Sequence, residues 1–256
     1  MNNIISIQNF SYWNLFDNMS LEIEDNSFVT LSGPNNCGKT TLLRILDRQI
    51  ITNSNITVLE KDIIEHKIDE YSSLVQCIIP TEYYFEESTL EEEISLYNPD
   101  KKDIEEILKG LGCKRIIKKD FSTMSEKELL LSGLVIALCQ KPRILLIDQL
   151  STILEEQDTI KILKFLKTFQ SKHPMTIIYS TINLTESLET DFLYIISEGK
   201  ICLSGKPLDV LEKDNIINKI GLKLPFMVDL SVKLKDYDLI KEIELDKNRM
   251  VDMLWK

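Results

Sequence analysis

Gly33-Pro34-Asn35-Asn36-Cys37-Gly38-Lys39-Thr40 satisfies the phosphate-binding pattern G-x-x-x-x-G-K-[ST] at every fixed position. Before it, Phe28-Val29-Thr30-Leu31 is a β-type apolar run. After it, Thr41-Leu42-Leu43-Arg44-Ile45-Leu46 has helical spacing. Strand, glycine loop and helix, in that order, give the string a mechanism. Gly33 and Gly38 let the backbone fold around an anion, while successive N–H groups and the positive end of the helix dipole point at phosphates. Lys39 is expected to reach the β- and γ-phosphates, and Thr40 to offer its hydroxyl to Mg²⁺. The stretch from Gly33 to Thr41 therefore reads as a nucleoside triphosphate site.

Bulk properties narrow the class. The 256 residues, 43% of them apolar, suit one large domain or one domain with an insertion. Net charge is −11, and the only basic group of note is Lys114, Arg115, Lys118 and Lys119. Nucleic-acid binding needs a basic face, so no nucleic-acid partner is expected. The five cysteines (37, 77, 113, 139, 202) are scattered without a C-x-x-C pair, which indicates neither a disulfide framework nor a zinc site and fits a reducing compartment. Ile4, Ile5 and Ile7 begin a strand rather than an apolar leader. No window approaches the ~18 apolar residues of a membrane span. Membrane association is expected only through a partner.

The pattern along the chain is β-rich at first. Ile4–Asn9 and Met19–Glu24 alternate as strands, and Phe28–Ser32 feeds the loop. The helix after the loop is expected to end near Arg48. Ile56–Leu59 and Leu74–Ile79 are short apolar runs suited to strands. From Thr89 to Gln140 helical periodicity and charge dominate. Ile144-Leu145-Leu146-Ile147-Asp148 then has the length and composition of a buried parallel strand. A helix follows at about Glu155–Phe169, with strands at Thr176–Ser180, Phe192–Ile196 and, after a turn at Glu198-Gly199-Lys200, Ile201–Leu203. The expected fold class is α/β: a mostly parallel sheet core with an N-terminal antiparallel β-subdomain and an inserted helical subdomain. The expected division is 1–88 with 141–205 for the nucleotide-binding core, 89–140 for the insertion and 206–256 for a helical extension. Asp148, closing a strand of four aliphatics, has the Walker B pattern, in which the carboxylate holds Mg²⁺ beside the loop. The metal ligands expected are Thr40 and Asp148.

At this point the chain resembles, over nearly its whole length, the ATP-binding subunits of ABC transporters. Tyr12, in Phe10-Ser11-Tyr12, is similar to the aromatic that stacks on adenine. Ile144–Glu155 lines up with the Walker B and D-loop segment. Gly221-Leu222-Lys223-Leu224-Pro225-Phe226-Met227-Val228-Asp229-Leu230 and Thr89-Leu90-Glu91-Glu92-Glu93-Ile94 resemble segments typical of the ATPases of energy-coupling-factor (ECF) vitamin and metal importers. The resemblance implies a P-loop NTPase of the ABC ATPase type, with ATP and Mg²⁺ as cofactors. It implies a second ATPase subunit and an integral membrane transporter subunit as partners, and a peripheral position on the cytoplasmic face of the cell membrane.

The departures from that pattern bear on chemistry. Gln149 stands where the family has its catalytic glutamate. Ile182 takes the switch histidine position and Asn183 the usual aspartate. The Q-loop position falls at Ile78 or Ile79, with Gln76 two or three residues early. The signature becomes Met124-Ser125-Glu126-Lys127-Glu128, of which only Ser125 matches; the D-loop aspartate is Glu155. An amide cannot serve as a base, and losing a positioned acid–base group costs ~10²–10⁴-fold. Gln149 can still orient a water, as the glutamine of small GTPases does. Glu126 and Glu128 bring negative charge towards a partner's phosphates. Two copies of this chain would form two impaired sites, which favours a heterodimer over a homodimer.

Three readings follow: an importer subunit that mainly binds nucleotide beside a more complete ATPase, a conventional energising ATPase, or a catalytically inactive nucleotide-binding regulatory or structural subunit outside transport. The acidic stretch Glu82–Glu87 has two readings, a docking surface for basic coupling helices or a solvated loop.

Overall fold

The computed structural model describes residues 2–52 and 55–255; positions 1, 53, 54 and 256, which fall inside the expected core and extension, lie outside the described residues. The chain opens with β1 (Asn3–Tyr12), β2 (Phe16–Glu24) and β3 (Phe28–Ser32), then α1 (Lys39–Leu46). Next come β4 (Ile56–Val58), β5 (Lys61–Asp62), α2 (Ile68–Leu74) and β6 (Val75–Ile78). A helical stretch holds α3 (Leu90–Ser95), α4 (Lys101–Gly110) and α5 (Glu126–Cys139). Then β7 (Ile144–Asp148), α6 (Glu156–Gln170), β8 (Thr176–Thr181), α7 (Leu184–Ser187), β9 (Phe192–Ser197) and β10 (Lys200–Gly205) alternate. The tail carries α8 (Pro207–Leu211), α9 (Asp214–Lys219), α10 (Phe226–Asp236) and α11 (Lys247–Leu254).

Two sheets result. The smaller, in order β2-β1-β4-β5, is antiparallel. The larger runs β10-β9-β3-β8-β7-β6 and is parallel except for β10, which returns from β9 as a hairpin. The period-2 alternation of the pleat decides what each strand residue touches. In β7, Leu145 and Ile147 join a core with α5 and α6, through Leu134, Leu163 and Leu166. Ile144 and Leu146 face the other way, into a core with α1 and the small sheet, through Leu42, Leu43, Ile5 and Ile7. Burial on both faces is what an unbroken aliphatic run requires of its strand. A third cluster seats the tail helices on the sheet through Val210, Leu211 and Ile217 against Leu193 and Ile195.

The α/β architecture matches the sequence-based expectation, with local differences. Helix α1 ends at Leu46, because Arg48 adopts a left-handed φ of 60° and its N–H closes back on Ile45. Leu74 closes α2 rather than opening β6. Helix α2 and the two-residue β5 escape the pattern reading: β5 is too short to alternate, and Ile68 in α2 is exposed.

Gly110, closing α4, lies flat against α6: a Cβ there would sit 2.0 Å from a ring carbon of Phe165. Gly110→Ala should therefore cost about 1–3 kcal/mol of unfolding free energy through overpacking. Adding Phe165→Ala should make the two losses less than additive. Urea midpoints of the two single variants and the double variant measure this.

Candidate functional site

The loop between β3 and α1 can close tightly only because its two glycines carry no side chain. A Cβ on Gly33 would lie 2.2 Å from the Ile196 carbonyl oxygen, and one on Gly38 would lie 2.6 Å from the Phe16 ring. Gly38 also takes φ 98°, ψ 7°, a left-handed entry into α1 that L side chains rarely adopt. Lys39 is buried at 4% exposure, and its ammonium donates to the carbonyls of Gly33 (2.8 Å) and Pro34 (2.9 Å), with Cys37 Sγ at 3.7 Å. The lysine thus spans the mouth of its own loop.

Three elements converge beside it. Thr40 Oγ1, in the first turn of α1, donates to Asp148 Oδ2 at 2.7 Å. Ser180 Oγ, at the end of β8, donates to Asp148 Oδ1. The register explains the meeting, since Asp148 pairs directly with Ser180. A cavity of about 420 Å³ opens here, lined by Asn35, Asn36, Lys39, Thr40, Thr41 and Gln149, together with Gly38 and Leu15. Gln149 holds a left-handed φ of 34°, fixed by its N–H donating to Ser180 O at 3.0 Å and its carbonyl accepting from Thr152 N and Oγ1. Such a conformation in a non-glycine residue persists where its surroundings over-determine it, and it clusters at functional sites. A hydroxyl and a carboxylate oxygen already in contact fit a hard, oxygen-seeking cation such as Mg²⁺, which takes few protein ligands and fills its shell with phosphate and water oxygens.

Other residues singled out in the sequence distribute differently. Pro34 and Cys37 line a neighbouring cavity of about 630 Å³, with the β9–β10 turn and Lys219 of α9. Tyr12 lines neither cavity; its ring stacks against Phe10 at 6.2 Å, and Leu15, beyond the β1–β2 turn, takes the cavity wall. Gln76 pairs with Leu145, on the sheet face opposite Asp148. Its amide is held by Ser72 O and Gln140. Ile78 and Ile79 are buried. Ser125 caps α5 in a capping box with Glu128, which also takes an ion pair from Lys119 at 2.6 Å, and Lys127 reaches Asp158 at 2.5 Å. Glu155 stands at the start of α6, and Ile182 is 38% exposed. The Asn183 amide donates to Glu156 at 2.8 Å.

Sequence reasoning missed three groups. Ser180 carries no signal until β7 and β8 are paired. Arg44, one turn beyond Thr40 on α1, ion-pairs with Glu82. Glu186, fully buried, accepts from Tyr179 OH and Thr181 Oγ1, each at 2.5 Å. Burial raises its carboxyl above the usual range, and the hydroxyls of Thr181, Tyr179 and Ser151 and the Asn183 amide oppose that shift.

Residues 16–152 match the sequence profile of the family described as ABC transporter. Among characterised relatives, the energy-coupling factor transporter ATP-binding protein EcfA of Pediococcus pentosaceus is 24% identical over 99% of this chain and 98% of its own length. The corresponding EcfA1 protein of Mycoplasmopsis pulmonis is 25% identical over 87% of this chain and 88% of its own. The solved structure of cbiO1 from Clostridium perfringens, described as part of the ABC transporter complex cbiONQ, aligns with a TM-score of 0.73 at 20% identity, covering 90% of this chain and 99% of that one. At that identity the likeness is one of fold.

Asp47 follows the last residue of α1, the helix that carries Lys39 and Thr40. Burial pushes its carboxyl up to about 6, against a 2.7 Å hydrogen bond from Gln49 that works the other way. Between about pH 4 and 6 the folded chain keeps a proton there that the unfolded chain has released, so this group's contribution to stability falls as pH rises through that window. Asp47→Asn should remove that loss and raise stability at pH 7 by about 1–2 kcal/mol. Urea unfolding of both chains at pH 4, 5, 6 and 7 should show curves that converge towards acid and separate above pH 5.

Proposed function

Because the chain belongs to the ABC transporter family, we propose that it is an ATP-binding subunit of an ECF-type importer, peripheral on the cytoplasmic face of the cell membrane. It binds MgATP, couples nucleotide-driven dimer closure to transport, and hydrolyses ATP weakly by itself. The observation that carries this reading is the meeting of Thr40 and Asp148 beside Lys39. The energy-coupling factor names of its relatives and their match along most of the chain support the transport assignment. Among the described residues no helix is long and apolar enough to cross a membrane, so the reading requires an integral membrane partner. Residues 1–88 and 141–205 form the nucleotide-binding core on this reading, 89–140 the inserted helical subdomain and 206–256 the extension.

In this mechanism the backbone N–H groups of the loop from Gly33 to Thr41 cradle the phosphates, and the Lys39 ammonium turns from its own carbonyls to the β- and γ-phosphates. Tyr12, whose ring rests against Phe10 in the nucleotide-free chain, turns to meet the base. Thr40 and Asp148 hold Mg²⁺, which when bound neutralises charge on the phosphate oxygens. Gln149 orients a water by hydrogen bonding and takes no proton from it. Ser125 serves the partner's site, where Glu126 and Glu128 weaken the contact with phosphate by like charge. A subunit with a weakened site and a poor signature works best beside a more complete ATPase, hence a heterodimer.

Two variants test the assignment. Lys39→Ala should weaken MgATP binding at least tenfold by titration calorimetry while leaving the melting temperature of the nucleotide-free chain within a degree or two. Gln149→Glu should restore a base and raise single-turnover hydrolysis by roughly 10²-fold. Nucleotide affinity unchanged by Lys39→Ala would defeat the binding assignment. Absence of any membrane subunit on purification from the native cell would favour the regulatory reading outside transport.

A further inference from the structure

The acidic stretch Glu82–Glu87 leaves β6 at the end of the sheet that also carries Asp148, since Ile78 pairs with Ile147. It is held at both of its own ends. At the first, the Arg44 guanidinium of α1 ion-pairs with Glu82. Among the described residues this is the one hydrogen bond or ion pair that joins α1 to residues 79–95. At the second, the N–H groups of Glu86 and Glu87 each donate to the Glu93 carboxyl of α3 at 2.9 Å, and Glu93 is buried. Between the two, Tyr83 stacks on Phe85 with ring centres 6.1 Å apart, and Phe85 stacks on Phe121 at 3.8 Å. Phe121 lies one turn before Ser125, the N-cap of α5. The stretch also walls a groove of about 290 Å³ that Gly133 and Ile136 of α5 line from the other side. A segment tied at both ends and stacked between them is not a solvated loop.

Thr40 and Arg44 stand one turn apart on α1 and share a face of it. One reaches Asp148 and the other reaches Glu82. The second contact is only half made. Nη2 alone donates to Glu82 Oε1, while Nε is buried and has no hydrogen-bond partner among the described residues. A guanidinium takes a carboxylate best through two parallel N–H···O bonds, and a buried donor left unpaired carries a desolvation cost. On the reading that the phosphate loop holds MgATP, we infer that Arg44 and Glu82 form a nucleotide-responsive strut. As the first turn of α1 re-seats on phosphate and Mg²⁺, it carries Arg44 into a two-pronged contact with Glu82. That contact tightens Glu82–Glu87 against α3 and reaches the Ser125 end of α5 through the Tyr83, Phe85 and Phe121 rings. In the free chain the pair joins side chains that are 36% and 46% exposed, a class of contact of small worth. Pairing the orphan Nε on binding supplies the difference between two states that a ligand needs in order to shift them. A contact this exposed limits the coupling to about fivefold, at the low end for linked sites.

The test is hydrogen exchange on the full chain, with and without saturating MgATP, for the wild type, Arg44→Lys and Glu82→Ala. Both side chains are partly exposed, so neither variant threatens the fold. Without nucleotide, Glu82→Ala should lower protection in 82–88 about threefold, and Arg44→Lys, which keeps the charge, by less than about twofold. MgATP should raise protection in 33–46 in all three chains. In 82–88 and 119–126 it should raise protection about fivefold in the wild type alone, because a lysine keeps the charge and lacks the fork. By reciprocity, calorimetric affinity for MgATP should fall by no more than about fivefold in either variant. A gain in 82–88 that survives in Arg44→Lys or Glu82→Ala would overturn the strut. So would a wild-type gain in 33–46 with none in 82–88, or unchanged protection in nucleotide-free Glu82→Ala. No gain in 33–46 in the wild type would sink the nucleotide reading, and the coupling with it.

Discussion

The carboxylate of Asp148 is the point on which the site depends. It ends the central aliphatic strand, faces the core shared with the phosphate-loop helix, and is buried at 4% exposure. A carboxylate in that position needs donors, and it takes them from two elements distant in sequence: Thr40 on α1 and Ser180 on β8. These bonds set the height of α1 against the sheet and hence the place of Lys39. They also show why the parallel pairing of β3, β8 and β7 matters. A one-residue slip of β7 on β8 would turn Asp148 into the opposite core and leave Thr40 without its acceptor.

With that anchor in place, the surrounding substitutions acquire a common direction. On the proposed reading, the features that bind phosphate are built from backbone and closely packed groups: the two glycines, Lys39, Thr40 and Asp148. On the same reading, the positions that would accelerate hydrolysis differ from the family pattern in side-chain chemistry. Gln149 keeps a constrained left-handed position facing the cavity, yet carries an amide. Ile182 occupies a half-exposed position and offers no hydrogen bond. Glu128 of the altered signature is engaged within its own chain, by Ser125 and Lys119. Binding and turnover rest on different physical resources, so one can survive in a chain where the other fades.

Much of this was legible in the sequence because the informative segments are local. The phosphate loop is contiguous, its glycines have a steric meaning at fixed spacing, and β3 and β7 are apolar runs that tolerate no other environment than a sheet buried on both faces. What stayed hidden depends on pairing. Ser180 looks like any strand-end serine until the register brings it opposite Asp148. Gln76 reads as a near miss for a nucleotide-sensing glutamine, whereas the pleat turns it to the far side of the sheet. Tyr12 matches an aromatic position by pattern, but the short turn before Phe16 sends Leu15 to the cavity and leaves the tyrosine ring against Phe10. Glu186 gives no periodic or motif signal, because its hydroxyl donors, Tyr179 and Thr181, come from a strand whose facing is fixed only once the sheet is paired. Helix α2 was missed because its apolar residues do not all face inward.

The central claim is that this chain retains a working MgATP site and has lost most of its own capacity for turnover. The most direct measurement is single-turnover hydrolysis of radiolabelled ATP by the purified wild-type chain, with MgATP affinity measured on the same preparation, alone and with its candidate ATPase partner. Micromolar binding with almost no phosphate release alone, and release only when the partner is present, is the predicted result. Fast release by the isolated chain would contradict it, and would mean that a carboxylate other than the one missing at position 149 acts as the base.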